Sequence, residues 1–137
     1  MMTERQFTSI ESLGLVSEFA FDVWQFCKER FSEEELDNLQ FFSGILHGDP
    51  GTPSTWESVY VSTFGKDYPI DSRPLNEHEI FTLLIEMSAL YIHKYGFRLE
   101  GFLNLLFQMR YKPESCEREC KLWRDGIQFF LDLDKRG

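Results

Sequence analysis

The chain has 137 residues, the length of one ordinary domain. It is 42% hydrophobic and 16% aromatic with 14 Phe, enough apolar matter for a packed core, which excludes general disorder. Fourteen basic residues face 23 acidic ones, a net charge of −9, which argues against a plain nucleic-acid module and against attraction to an anionic membrane.

The first segment spans about Ser9 to Phe31. Its polar residues Glu18, Asp22, Gln25 and Glu29 form one narrow stripe at helical spacing. The rest is mostly apolar, from Leu13 and Val16 through Phe19, Val23 and Trp24 to Phe31. This predicts a central helix that is largely buried. Ser32 followed three residues later by Glu35 is a capping-box pattern, so a second helix starts there. Glu33, Glu34 and Glu35 fill its first turn, where carboxylates favour the positive end of the dipole. Leu36, Leu39, Phe42 and Leu46 are its predicted buried face, and Gly48 its predicted stop.

A middle region follows in which four of the five prolines lie between residues 50 and 74. Thr52 before Pro53 resembles a cap with a first-turn proline, which predicts a short helix over residues 52–64. The run Val59 to Phe64 is rich in strand formers, so a strand is the competing reading. Asn76 with Glu79 repeats the capping pattern and opens a long helix over 77–95, again largely buried, with Gly96 as its terminator. A fifth helix is predicted from about Arg98 to Met109, packing Leu99, Phe102, Leu103, Leu106 and Phe107. The last helix follows Pro113. Its inner stripe is Cys116, Cys120, Trp123, Ile127 and Phe130, with Leu122, Phe129 and Leu133 as a row beside it. Gly126 costs that helix about 1 kcal/mol relative to Ala. The expected fold is all-α: a single compact domain of five to six helices over residues 1–137.

The segment MMTERQFTSIESLGLV lacks the pattern of a secretory signal, and no run reaches the roughly 18 apolar residues of a membrane span. Three cysteines are too few and odd in number for a disulfide framework, so a reducing cytoplasm is the expected location.

The catalytic patterns are incomplete. His78 would need a second histidine at position 82 for a metalloprotease helix, and Thr82 stands there. There is no G-x-S-x-G elbow, no phosphate-binding loop and no G-x-G-x-x-G. Cys116 and Cys120, one helical turn apart, could share a metal or form a redox pair, but they lie on the core stripe with Trp123 and behave as small hydrophobes. Carboxylate pairs such as Glu18–Asp22 and Glu33–Asp37 could hold cations or do acid–base work, but with 23 carboxylates in 137 residues chance proximity on a solvated face explains them. No metal, no cofactor and no enzymatic activity are expected.

What remains is the acidic surplus. Solubility is one reason for it, and steering toward a basic partner is another. Trp56, Tyr60 and Tyr68 lie close in sequence to Glu57, Asp67 and Asp71, and aromatics beside carboxylates make good interface anchors. Trp56 and Tyr60 serve equally well as rings that close the core.

The net charge, the Glu33-Glu34-Glu35-x-Asp37 run and the aromatic–acidic segment from Trp56 to Asp71 together resemble the small acidic immunity proteins of bacterial toxin systems. The resemblance implies a non-enzymatic inhibitor that binds a basic, nuclease-like toxin domain and blocks its active site. Under it, Glu33, Glu34 and Asp37 supply charge toward the partner's Lys and Arg. Asp67 and Asp71 extend the field, and Trp56 and Tyr68 are anchors. The alternatives are a helical adaptor that binds a partner through an apolar groove, with little sensitivity to salt, and a small helical enzyme or metal protein that uses the carboxylate stripes.

Overall fold

The computed structural model describes residues 5–68 and 75–136, and among them six α-helices carry the fold. They are α1 (Ser9–Phe26), α2 (Glu33–Gly48), α3 (Thr52–Phe64), α4 (Glu77–Tyr95), α5 (Glu100–Tyr111) and α6 (Glu117–Arg136). No strand is present among the described residues, so the all-α expectation holds. Residues 59–64 are helical, not extended.

The helix starts follow from local chemistry. Thr8 caps α1 in a full capping box with Glu11, and Asn76 caps α4 in another with Glu79. Gly65 and Gly96 close α3 and α4 in the left-handed conformation, at φ +66° and +70°. The α3 start differs from expectation. Gly51 is its N-cap, while Thr52 lies inside the helix and its hydroxyl donates to the Ile45 carbonyl of α2 at 2.7 Å.

Two helix bounds also differ. The first helix stops at Phe26, not Phe31. Cys27 leaves helical geometry and a 3₁₀ turn follows over Lys28–Arg30, which carries Arg30 to the buried carboxylate of Glu119. The fifth helix runs two residues later than expected, and its Gly101 amide is capped from α2, as described below.

One core joins the helices. Phe19 of α1 meets Phe102 of α5 at 6.3 Å and Trp123 of α6 edge-on at 5.4 Å. Trp123 meets Phe81 of α4 at 5.2 Å and donates its indole N–H to Glu77. Phe42 of α2 lies between Phe102 and Tyr91 of α4. Such edge contacts add about 0.5–1.5 kcal/mol each beyond burial. Gly126 has a packing role: a Cβ there would lie 2.8 Å from Leu15 Cδ1, so the glycine lets α6 lie close to α1. A single antiparallel bridge, Phe7 to Leu75, ties the approach to α1 to the approach to α4. Arg5 bonds both Glu11 and Asp134, linking the start of α1 to the end of α6.

Three apolar residues expected in or beside the core are exposed instead: Phe107, Phe129 and Leu133. Phe107 stacks on Tyr111 one turn along α5. Phe129 and Leu133 stand on α6 with much of each side chain open to solvent.

The polar centre of the fold is Glu119, only 1% exposed. Arg30 grips both of its oxygens, at 2.9 and 3.1 Å, and Arg118 donates to it at 2.9 Å. Arg118 also bonds Glu29, so four charges pin the end of α1 to the start of α6. Burial alone would push the Glu119 carboxyl up. The hydrogen bonds from Arg30, Cys27, the backbone and Arg118 override that and hold it at about 2 against an ordinary 4.5.

Replacing Glu119 with Ala leaves Arg30 without its carboxylate partner and Arg118 with Glu29 alone, and the expected loss is about 1–3 kcal/mol in a urea melt. The depressed pKa sets the pH window. The stability contributed by this carboxylate is complete above the ordinary carboxylate range and drains away as pH falls toward 2. The stability gap between wild type and Glu119→Gln therefore narrows on acidification. A gap constant from pH 7 to pH 3 contradicts the assignment.

Candidate functional site

The sequence-predicted site residues separate into two groups. Glu33, Glu34 and Asp37 stand exposed on α2, as a solvated acidic face requires. Ser32 caps the helix by accepting from the Glu35 amide, but the Glu35 side chain does not return to complete the box. It reaches α5 instead and accepts from the Gly101 amide at 2.9 Å. Asn38 accepts from the Arg98 amide at 3.0 Å. The helix α5 has no side-chain cap of its own, and Glu35 of α2 satisfies one of its orphan donors, the Gly101 amide. Glu34 lies 3.7 Å from Arg98, an exposed pair that contributes little.

Further along α2 the chemistry changes. Asp37, Gln40, Phe41, Gly44, Ile45 and Asp49 line an open cavity of about 590 Å³. Phe41 is 66% exposed, a large apolar ring standing one turn from Asp37. Its neighbour is Phe97, at 5.9 Å. Phe97 in turn meets Tyr91, and Tyr91 meets the exposed Tyr95. Burial pushes the Tyr91 phenol up, with smaller repulsions from Tyr95 and Asp49, which keeps it neutral. Among the described residues, Glu33, Asp37 and Asp49 make no ion pair. The face therefore presents unneutralised carboxylates around exposed rings.

The second group does not form an anchor. Trp56 is 0% exposed and donates its indole N–H to the Ser12 hydroxyl of α1 at 3.0 Å. It closes the core, because a ring of that size at this position of α3 faces α1. This corrects its expected role as a surface anchor. Tyr68 is half-buried, lies edge-on to Tyr60 at 5.0 Å and hydrogen-bonds the Ser9 hydroxyl. Burial raises its phenol pKa, and the Ser9 bond opposes that rise. Its polar tip is thus already engaged. Asp67 is exposed, and Asp71 lies outside the described residues.

Among the described residues no three His, Cys, Asp or Glu side chains stand together in a metal-holding group. Cys27, Cys116 and Cys120 are free and buried, with the Cys116 and Cys120 sulfurs 3.9 Å apart. Burial pushes Cys27 to about 12 and Cys120 to about 11, so both are thiols at neutral pH. His78 and His93 are exposed, and among the described residues no helix is long and apolar enough to cross a membrane.

The chain matches no known protein family, no curated protein and no solved structure.

Phe41, Tyr95 and Phe97 are not among the site residues expected from the sequence. The signal was present in the Phe41-Phe42 pair: the buried face takes Phe42, so helical spacing turns Phe41 outward.

The α2–α5 junction gives a direct test. A Cβ on Gly101 would lie 2.1 Å from Glu35 Oε2 and 3.2 Å from Phe31 Cδ1. Gly101→Ala therefore expels the capping carboxylate, with an expected cost of about 1–3 kcal/mol in thermal or urea melts. Combined with Glu35→Ala, the cost should be well below the sum of the two single changes. Simple additivity shows that the cost of Gly101→Ala does not come through the Glu35 cap.

Proposed function

We propose that this chain is a non-enzymatic inhibitor of the immunity type, which binds a basic, nuclease-like toxin domain through the exposed face of α2. The observation that supports this reading is the placement of Phe41, an exposed ring between the unpaired carboxylates of Asp37 and Asp49. Exposed aromatic anchors inside a charged rim are how a protein interface concentrates its binding energy. Carboxylates without local cations speed the approach of a basic partner and keep like-charged surfaces away. Glu33, Glu34 and Asp37 keep the role given to them from sequence. Phe41 and Tyr95 take the anchoring role that Trp56 cannot fill. Because the ring cluster is apolar, it also favours a helical adaptor as a second reading. Salt dependence separates the two.

The test is the product of the adjacent gene in the source genome. If it is a toxin domain, the purified chain blocks its activity at one-to-one stoichiometry. Reversing Glu33, Glu34 and Asp37 to Lys slows association by about 10-fold or more and flattens its salt dependence. Phe41→Ala acts mainly on dissociation, weakening binding by about 30-fold. Binding that keeps its rate and salt slope after charge reversal favours the adaptor. A neighbouring toxin left fully active by a stoichiometric excess of the chain sinks the immunity reading.

A further inference from the structure

A second concave surface lies between α1 and α6. It is a cleft of about 480 Å³. Its apolar walls are Leu15 of α1 with Phe129 and Phe130 of α6, and Phe129 is 60% exposed. Its polar groups are all of one sign. Glu18 and Asp22 come from α1, spaced one turn apart, and Asp125 comes from α6. Asp125 is paired with Lys121 at 2.9 Å, an exposed pair on the same helix. Glu18 and Asp22 have neither an ion pair nor a side-chain hydrogen bond among the described residues.

This combination selects its occupant. An apolar ligand would strand the carboxylates, and a bare metal ion would leave the phenylalanine walls without a partner. A cation on an aliphatic stem satisfies both. Of the two cationic side chains, arginine fits better. Its planar guanidinium bonds carboxylates in a fork and stacks on an aromatic face, which an ammonium does less well. We infer that the α1–α6 cleft is a docking site for an arginine side chain carried by a peptide segment of a partner protein, its stem against Leu15 and Phe129 and its guanidinium among Glu18, Asp22 and Asp125. The site is separate from the α2 face and does not depend on it.

The protonation state of the cleft gives a second handle. Burial raises the Asp22 carboxyl to about 6, and Glu18 and Asp125 add to the rise. These two carboxylates, with Lys121 paired to the latter, are the charged groups that face it. Asp22 is therefore mostly ionised at pH 7.5, and only about a tenth ionised at pH 5. An arriving guanidinium favours the ionised form, so acid opposes docking.

The experiment is an amide NMR titration of the full chain at 0.15 M salt and pH 7.5. The probe is a capped Gly-Arg-Gly peptide. Its controls are the same peptide with citrulline, a neutral near-isostere, and with lysine. Saturable shifts are expected at Gly14, Asp22, Gly126 and Phe129, with the arginine peptide bound more tightly than the lysine peptide and citrulline silent. Binding should weaken several-fold at pH 5. The double change Asp22→Asn, Asp125→Asn should weaken it by about 10-fold or more, while charge reversal at Glu33, Glu34 and Asp37 leaves it unaltered. The inference is overturned if citrulline binds as well as arginine, if the shifts spread over every acidic surface without saturating, or if pH has no effect. The wild-type arms decide the matter even if the double variant folds poorly. No partner is needed, so failure here leaves the α2 reading standing, and failure there leaves this one.

Discussion

Phe19, at the middle of α1, has to be kept from water, and the arrangement of the other helices follows from how that is done. Its ring is covered by Phe102 and Trp123, which commits α5 and α6 to opposite parts of the same core. Trp123 then requires a partner for its second face and its N–H, and α4 supplies both in Phe81 and Glu77. Phe102 extends the chain of rings through Phe42 to Tyr91, which places α2 against α4. Only α3 stands outside this series. It is held by Trp56, whose indole N–H finds Ser12 on α1. A buried aromatic ring brings large apolar area and a geometric preference together, so a short chain of them can position five of the six helices with little help from loops.

The acidic surplus resolves into three uses. Glu119 is buried and clamped by two arginines. Glu11, Glu35 and Glu79 serve helix starts, and Glu35 does so for a helix other than its own. A third set is left without cations. It includes Asp37 and Asp49 beside Phe41, and Glu18 and Asp22 beside Phe129. Both surfaces combine unpaired carboxylates with an exposed phenylalanine. The carboxylates are well solvated, while each exposed ring leaves apolar area in water that a basic and partly apolar partner would cover.

Much of the fold was legible in the residues. The Asn76–Glu79 box, the terminator Gly96 and the stripes of α1 and α4 are local signals, and local hydrogen bonds honour them. The site was legible in part. Glu33, Glu34 and Asp37 are exposed as their spacing demands, but Trp56 is not, because nothing local distinguishes a ring that closes a core from one that meets a partner. Glu35 carries the same signature as Glu79 yet leaves its box. Whether a carboxylate turns back to its own helix depends on which orphan amide lies nearest, and Gly101 is 66 residues away. Phe107, Phe129 and Leu133 follow apolar spacing yet remain exposed. A stripe states which side of a helix prefers to be dry, not how many neighbours arrive to cover it.

The division of labour follows from the range of the interactions. Composition and periodicity by themselves determined an all-α domain with two long inner helices, the Asn76 cap and its net charge of −9, because these rest on contacts within a few residues and on counting. Only the tertiary structure decided which carboxylates are clamped, which cap a distant helix and which stay free, and which phenylalanines face water. Those outcomes depend on pairs far apart in sequence, such as Arg30 with Glu119, Glu35 with Gly101 and Asp22 with Asp125, and no local pattern encodes them.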